Sequence, residues 1–299
     1  MREAFDILSK AITDVRRDEP MSAHTSFQVG GPADVMALPK TVEEVRVVLK
    51  TARYLGCPLF VLGRGTNLLV TSKGLRGIVM KLADNFSGLA FDGSCVMAKS
   101  GTPLATLVKE AAAHCLGGAE FLGGIPGTLG GAVSMNAGAY GGEIGDFVEE
   151  VFLTSAAGDL VLQRSEMDFG YRHSILAAVP LVVTGVRLKF LSCGEDESLK
   201  KLEELNARRR EKQPLEYPSA GSTFKRPEGG YAGTLIEQTG LKGLRIGGAE
   251  VSEKHAGFVI NRGGATPEEL IALIEEVQAR VFQASGLWLE PEVKIAGER

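Results

Sequence analysis

The chain has 299 residues, 44% of them hydrophobic and 23% charged, with a formal net charge of −4. That length predicts about two domains with a substantial core, and no apolar run reaches the ~18 residues that a membrane span needs. The opening MREAFDILSK lacks the apolar stretch of a secretory signal, and the acidic balance argues against a nucleic-acid binder, which carries a basic face. Cys57, Cys95, Cys115 and Cys193 show no Cys-x-x-Cys spacing. They predict neither a disulfide framework nor a metal site, and they fit a reducing, cytoplasmic setting.

Thr41-Val42-Glu43-Glu44 is a capping box that opens an amphipathic helix running towards Gly56. A buried strand is expected at Pro58–Leu62, ending in Gly63-Arg64-Gly65-Thr66-Asn67. Strand patterns recur at 77–81, 95–98, 148–154, 160–163 and 181–190, and a helix is predicted from Pro103 to His114. A charged helix from about Glu195 to Lys212 follows, and its Arg208-Arg209-Arg210 reads as a solvated helix end. Pro214 and Pro218 mark a boundary. Beyond them lie a helix at Tyr231–Thr239, a strand at Gly257–Ile260, and a long helix opened by Thr266-Pro267-Glu268-Glu269, a second capping box with proline at its first position. Short strands mixed with few helices predict α+β construction rather than regular βαβ winding.

Two glycine-rich segments stand out. Eight of the twenty residues from Gly123 to Gly142 (GGIPGTLGGAVSMNAGAYGG) are glycine, yet Ile125, Leu129, Val133 and Met135 make the run too apolar for a linker. Residues without a Cβ let backbone N–H groups approach a phosphate or a flat cofactor closely. Gly63-Arg64-Gly65-Thr66-Asn67-Leu68-Leu69-Val70 follows a strand and supplies clustered N–H donors suited to a pyrophosphate. It is not a dinucleotide fingerprint, because Leu68 stands where the third glycine belongs, and no Gly-Lys-Ser/Thr of a P-loop follows. Together the two segments form a two-sided cradle. Lys225, Arg226 and Lys242 sit in glycine-containing loops, where a positive site for an anionic small molecule is expected.

His24-Thr25-Ser26-Phe27 leading to Gly30-Gly31-Pro32-Ala33-Asp34, then the two glycine segments, then Tyr171-Arg172-His173-Ser174, Ser219–Lys225 and Leu289–Val293 follow one another in a recognisable order. In these motifs, and over nearly its whole length, the chain resembles the MurB family of UDP-N-acetylenolpyruvoylglucosamine reductases. The resemblance implies a two-part FAD-binding domain of the vanillyl-alcohol-oxidase/MurB type at 1–213, with lobes of about 1–80 and 81–213. It also implies a separate α+β substrate domain at 214–299 whose end returns Glu292 to the active site. FAD is expected to be held non-covalently by Gly63, Arg64, Gly65, Thr66, Asn67 and Leu68 on one side. On the other stand Gly124, Ile125, Pro126, Gly127, Thr128, Gly130, Gly131, Ala132, Asn136, Gly138, Ala139 and Tyr140.

The implied activity belongs to cytoplasmic peptidoglycan precursor synthesis. NADPH reduces the flavin, which then reduces the enolpyruvyl ether of UDP-N-acetylglucosamine enolpyruvate to the lactyl ether of UDP-N-acetylmuramate. Nicotinamide and substrate are implied to use the same flavin face in turn. Hydride addition leaves carbanion character beside a carboxylate, so the site needs a fixed cation, and the fork of Arg172 matches a carboxylate. The carbanion then needs a placed proton donor. Ser222 matches the family's serine acid, with Ser219 and Thr223 as local competitors. Glu292 matches the family's glutamate and is expected to work protonated or through a shared proton, with Glu290 as its neighbour. Lys225, Lys242, Tyr217 and His255 are candidate substrate contacts. The longer form of the family carries a tyrosine-bearing lid after the catalytic arginine. Here Arg172 runs almost directly into Leu181, so the chain resembles the shorter form. An oxidase of the same fold, or a nucleotide-binding module that only holds a ligand, are the competing readings. Neither membrane nor obligate protein partner is called for by the sequence.

Overall fold

A computed structural model describes residues 1–177 and 181–298. The chain forms two compact units and passes between them five times. The first comprises Met1–Arg17, Val35–Arg64 and Gly77–Arg209; the second comprises Asp18–Asp34, Gly65–Arg76 and the chain from Arg210 on.

The first unit holds an antiparallel five-stranded sheet in the order Asp159–Gln163, Val148–Thr154, Val182–Lys189, Cys95–Lys99, Leu89–Asp92. The helix Leu104–Ala113 and the glycine-rich segment pack on it around Val96, Leu107, Leu122, Leu129, Val151 and Val186, all buried. A second core gathers Leu8, Val45, Val48, Ile78 and Met80 beneath the helix Val42–Leu55. That helix starts where the capping signal stands: Thr41 Oγ1 accepts from Glu44 N–H at 3.2 Å, and Glu44 reaches back to Lys40 N–H at 2.6 Å. It ends on Gly56 at φ +57°, a left-handed cap that glycine takes without penalty.

The strand Leu59–Leu62 pairs in parallel with residues 78–81. It lies at a sheet edge, so only Leu62 is buried and Val61 is 45% exposed. The expectation of a buried strand there fails for that reason. The other predicted strands and helices appear within a residue or two, apart from the strand near 257–260, which shortens to Val259–Asn261. The strand Val15–Pro20 gave no sequence signal, because VRRDEP is charged and largely exposed rather than alternating.

In the second unit, Pro267–Ser285 packs its buried stripe of Leu270, Leu273, Ile274, Val277 and Val281 on the strands Ala249–Val251 and Val259–Asn261. Its capping box is complete: Thr266 Oγ1 accepts from Glu269 N–H, and Glu269 accepts from Thr266 N–H and from Gly248 N–H. Phe27, Val29 and Leu69 join this core, and Leu68–Val70 pairs in parallel with Lys294–Ala296. That pairing ties residues 65–76 to the C-terminal part of the chain, and the burial of Phe27 and Val29, with Asn261 Nδ2 donating to Phe27 O, ties residues 18–34 to it. Helices beside mostly antiparallel sheets make the fold α+β, as the sequence predicts. Among the described residues no helix is long and apolar enough to cross a membrane, and no His/Cys/Asp/Glu group could hold a metal.

Candidate active site

In the first unit the glycine-rich run folds back on its own neighbours. Pro103 and Thr128 form an antiparallel bridge, and Gly130 N–H donates to the Ser100 carbonyl at 2.7 Å. A Cβ at Gly123 would lie 2.4 Å from Leu202, at Gly124 2.6 Å from the Arg209 side chain, and at Gly142 2.6 Å from the Phe121 ring. These glycines therefore admit the protein's own side chains. Gly131 differs: it is exposed, and its nearest neighbour stands 3.5 Å from where a Cβ would be. Gly63 would clash with Thr128 Oγ1 at 2.5 Å, so the start of the first glycine segment rests against the second. Arg64 pairs with Asp84 at 2.7 Å on the surface.

Beside Gly130, Ser100 Oγ is buried and has no hydrogen-bond partner among the described residues. Buried hydroxyls are nearly always paired. An orphan there, together with the open backbone face at Gly131, fits a flat cofactor with polar edges, as the FAD expectation requires.

Arg172 sits in a two-residue turn closed by Gly170 N–H to His173 O and His173 N–H to Gly170 O, both 3.1 Å. Its φ is +53°, a conformation that costs a non-glycine residue roughly 1–2 kcal/mol. Asn136 holds the turn in place. It is buried, its Nδ2 donates to Gly170 O at 3.0 Å and to Glu143 Oε2 at 2.8 Å, and its Oδ1 accepts from Gly145 N–H at 3.0 Å. The Asn136 amide is thus used inside the protein. The Arg172 guanidinium donates to Gly138 O at 3.1 Å and lies over the Tyr171 ring at 5.0 Å. Arg172 and the glycine run are therefore one local assembly. The short connection from Arg172 to Leu181 includes residues 178–180, which lie outside the described residues.

In the second unit, the serine and glutamate segments are neighbours. Glu292 N–H donates to Thr223 O at 2.8 Å and Lys225 N–H to Glu290 O at 2.9 Å, with an antiparallel bridge between Phe224 and Pro291. Ser222 and Glu292 therefore stand on adjoining segments of the chain, joined by that bridge. On the far side, Asn67 ties the first glycine segment to the same place: its Nδ2 donates to Glu292 O at 3.1 Å, and its carbonyl accepts from Lys294 N–H at 3.1 Å. Gly65 packs under the His24 carbonyl, 2.0 Å from where a Cβ would sit, so only glycine fits there.

The local competitors separate by burial. Thr223 is 1% exposed and its hydroxyl accepts from Val259 N–H at 2.9 Å, whereas Ser222 is exposed. Ser219 is bridged to Ile260. Glu290 is exposed and ion-paired with Lys225 at 2.5 Å, while Glu292 is half-buried. Lys242 pairs with Glu237 at 2.6 Å. Tyr217 accepts a hydrogen bond from Arg262, whose guanidinium lies 4.5 Å over its ring and whose Nε is 3.3 Å from the buried Glu250. His255 is held neutral, because burial pushes its pKa down and its Nδ1 accepts from Gly257 N–H at 3.1 Å. Arg209 is the residue that the sequence reading misplaces. It is half-buried over Gly124 rather than solvated, and burial lowers its pKa.

Residues 213–296 match the family model described as UDP-N-acetylenolpyruvoylglucosamine reductase, C-terminal domain, and residues 33–162 match the FAD binding domain model. A UDP-N-acetylenolpyruvoylglucosamine reductase of Caldanaerobacter subterraneus subsp. tengcongensis is 50% identical over 283 residues, 94% of this chain and 93% of that one. The crystal structure of the UDP-N-acetylenolpyruvylglucosamine reductase (MurB) from Thermus caldophilus superposes with a TM-score of 0.81 at 37% identity, covering 95% of this chain and 98% of that one. Alkyldihydroxyacetonephosphate synthase matches the fold alone, with a TM-score of 0.50 at 16% identity over 64% of this chain and 41% of that one.

Proposed function

Since this chain belongs to the family of UDP-N-acetylenolpyruvoylglucosamine reductases, we propose that it is an FAD-containing oxidoreductase that reduces UDP-N-acetylglucosamine enolpyruvate to UDP-N-acetylmuramate. NADPH is the electron source, and the setting is cytoplasmic peptidoglycan precursor synthesis. Residues 1–213 serve FAD binding and 214–299 serve substrate binding. Bound FAD supplies the hydride. The chain's own residues do the rest.

Arg172 offers its guanidinium fork to the carboxylate that becomes an enolate when hydride reaches the enolpyruvyl carbon. A charge fixed before reaction stabilises the transition state without reorganisation at the moment of transfer. The strained turn at Arg172 and its staple through Asn136 to Gly170 and Gly145 are the kind of scaffold that holds a cation still. Ser222 gives the proton to the carbanion. A serine hydroxyl is a weak acid, but the carbanion is a strong base, so placement matters more than pKa. Glu292, working protonated or through a shared proton, adds a hydrogen bond to the enolate.

The observation that carries this reading is the backbone pairing of Thr223 with Glu292, which supports a serine acid and a glutamate working side by side. It also favours the reductase over an oxidase, which has no reason to keep a serine acid and a glutamate together. NADPH oxidation measured with and without UDP-N-acetylglucosamine enolpyruvate is the test. Stimulation by that substrate, with a yellow protein that NADPH bleaches in the absence of air, is the expected result. Oxygen-dependent turnover indifferent to the substrate would put the oxidase in its place, and a protein that cannot be reconstituted with FAD would remove both.

A further inference from the structure

The middle residue of Arg208-Arg209-Arg210 does not behave as the end of a solvated helix. Arg208 pairs with Glu204 at 2.5 Å in the usual one-turn spacing. Arg209 turns the other way, off Glu195–Lys212 and onto the glycine-rich run. Its Cδ lies 2.6 Å, and its Nη1 3.3 Å, from where a Cβ of Gly124 would be. Gly124 is therefore the seat of this arginine.

The guanidinium there is half-buried and shares its seat with the Asn206 amide oxygen, and among the described residues it makes no ion pair and no hydrogen bond. Its one electrostatic neighbour is the Tyr140 hydroxyl, from the same glycine run. Arginines elsewhere in the chain are provided for: Arg16, Arg46, Arg64, Arg76, Arg187 and Arg280 each face a carboxylate. An arginine cannot shed its proton to relieve burial, and those of its N–H donors that are withdrawn from water without acceptors are unfavourable. A planar fork at a glycine-lined backbone suits a phosphate's oxygens. Tyr140 helps fix the geometry, since its hydroxyl donates to Leu205 O at 3.4 Å, one turn before Arg209 on the same helix.

We propose that Arg209 is an anion-binding residue of the glycine-rich loop, whose missing partner is a diphosphate oxygen of a bound nucleotide. This rests on the flavoenzyme reading, in which FAD, the UDP-sugar and NADPH all carry that chemistry, and the arms of one experiment tell them apart. Arg209→Met, which keeps the stem over Gly124, and Arg209→Lys, which keeps the charge without the fork, are compared with wild type and with Arg208→Gln. FAD binding to apoprotein is read by flavin fluorescence, and UDP and NADP⁺ binding to holoenzyme by calorimetry.

Arg209→Met weakens one of these ligands by about 10- to 100-fold, the worth of a charge-assisted hydrogen bond. Arg209→Lys recovers part of that loss, and Arg208→Gln changes none. Which ligand responds identifies the source. Affinities of both Arg209 variants within twofold of wild type for all three ligands would overturn the proposal. So would an equal loss in Arg208→Gln. Wild-type protein that takes up neither FAD nor UDP fails the flavoenzyme reading instead. The arginine is then judged by inorganic pyrophosphate: protection of wild type against heat that Arg209→Met lacks supports the site, and equal or absent protection refutes it.

Discussion

Two stretches of this chain are rich in small residues, and they use smallness in opposite ways. At Gly123, Gly124 and Gly142 the missing side chains make room for the protein itself, for Leu202, the Arg209 side chain and the Phe121 ring, while Gly131 and Gly141 stay open. In Ser219–Thr223 nothing fills the space. A Cβ at Gly221 would meet no atom within 4 Å, and the glycine is required by its φ of +77° instead. The first stretch is a packed platform, and the second is a bend that leaves Ser222 outward while Thr223 is tied inward. Glycine in a sequence marks a close approach in one case and a backbone conformation in the other.

The contrast breaks most sharply at Ser222. Ser222→Ala is expected to leave reduction of the flavin by NADPH intact and to lower product formation by about 10²- to 10⁴-fold, the range for a placed proton donor. Stopped-flow bleaching beside steady-state turnover reads both. Normal turnover would show that the outward bend presents nothing of importance. Thr223, buried and bonded to Val259 N–H, is not able to substitute without giving up that bond.

Gly221→Ala comes next. The added methyl collides with nothing, so the cost is the left-handed backbone, roughly 1–2 kcal/mol if the loop resists. If the loop gives way, Ser222 moves, and a displacement near 1 Å costs up to about 10²-fold in rate. Turnover should therefore suffer more than thermal stability. Gly142→Ala should show the reverse, with stability down by about 1–3 kcal/mol from overpacking against Phe121 and turnover at low temperature within a few-fold of wild type. Melting curves and rates for the pair together decide the matter. Parallel losses in both variants would erase the distinction between platform and bend.

Much of this was legible in one dimension, for reasons that are local. Thr266-Pro267-Glu268-Glu269 announces a helix start because its partners lie within four residues, and every bond of that box is present. The motif residues are legible one by one, but not what each side chain meets. Arg209 looks like surface charge in Arg208-Arg209-Arg210, because its seat, Gly124, lies far away in the chain. Gly142 announces a close approach without saying whether a ligand or Phe121 makes it. Asn136 resembles a ligand contact, yet its amide is spent on Gly170, Glu143 and Gly145. Segments 18–34 and 65–76 give no hint that they belong with the C-terminal unit, since the ties that show it, Leu68–Val70 on Lys294–Ala296 and Phe27 and Val29 in the C-terminal core, are all distant in sequence. Periodicity reports which face is buried, and it is silent about partners distant in sequence.

The smallest expected effect concerns how each stretch is anchored. The platform's staple, Asn136, is an amide that does not titrate. The bend's anchor does: Thr223 N–H donates to Gly257 O at 2.8 Å, and Gly257 N–H in turn donates to His255 Nδ1. Burial, first of all, lowers the pKa of His255 below its ordinary value, with Lys242 adding to the shift and Glu237 opposing it. The folded state therefore binds this proton less readily than the unfolded chain, whose histidine titrates near about 6.5. Stability from the neutral ring is fully present above that pH and is lost as pH falls through about 6.5 towards the lowered folded value. Protonation also takes away the lone pair that Gly257 N–H needs. His255→Gln keeps an acceptor without the titration, so its melting temperature should fall less steeply than that of wild type between pH 7 and 5. Equal slopes for the two proteins would mean that the anchor of the bend is as indifferent to pH as that of the platform.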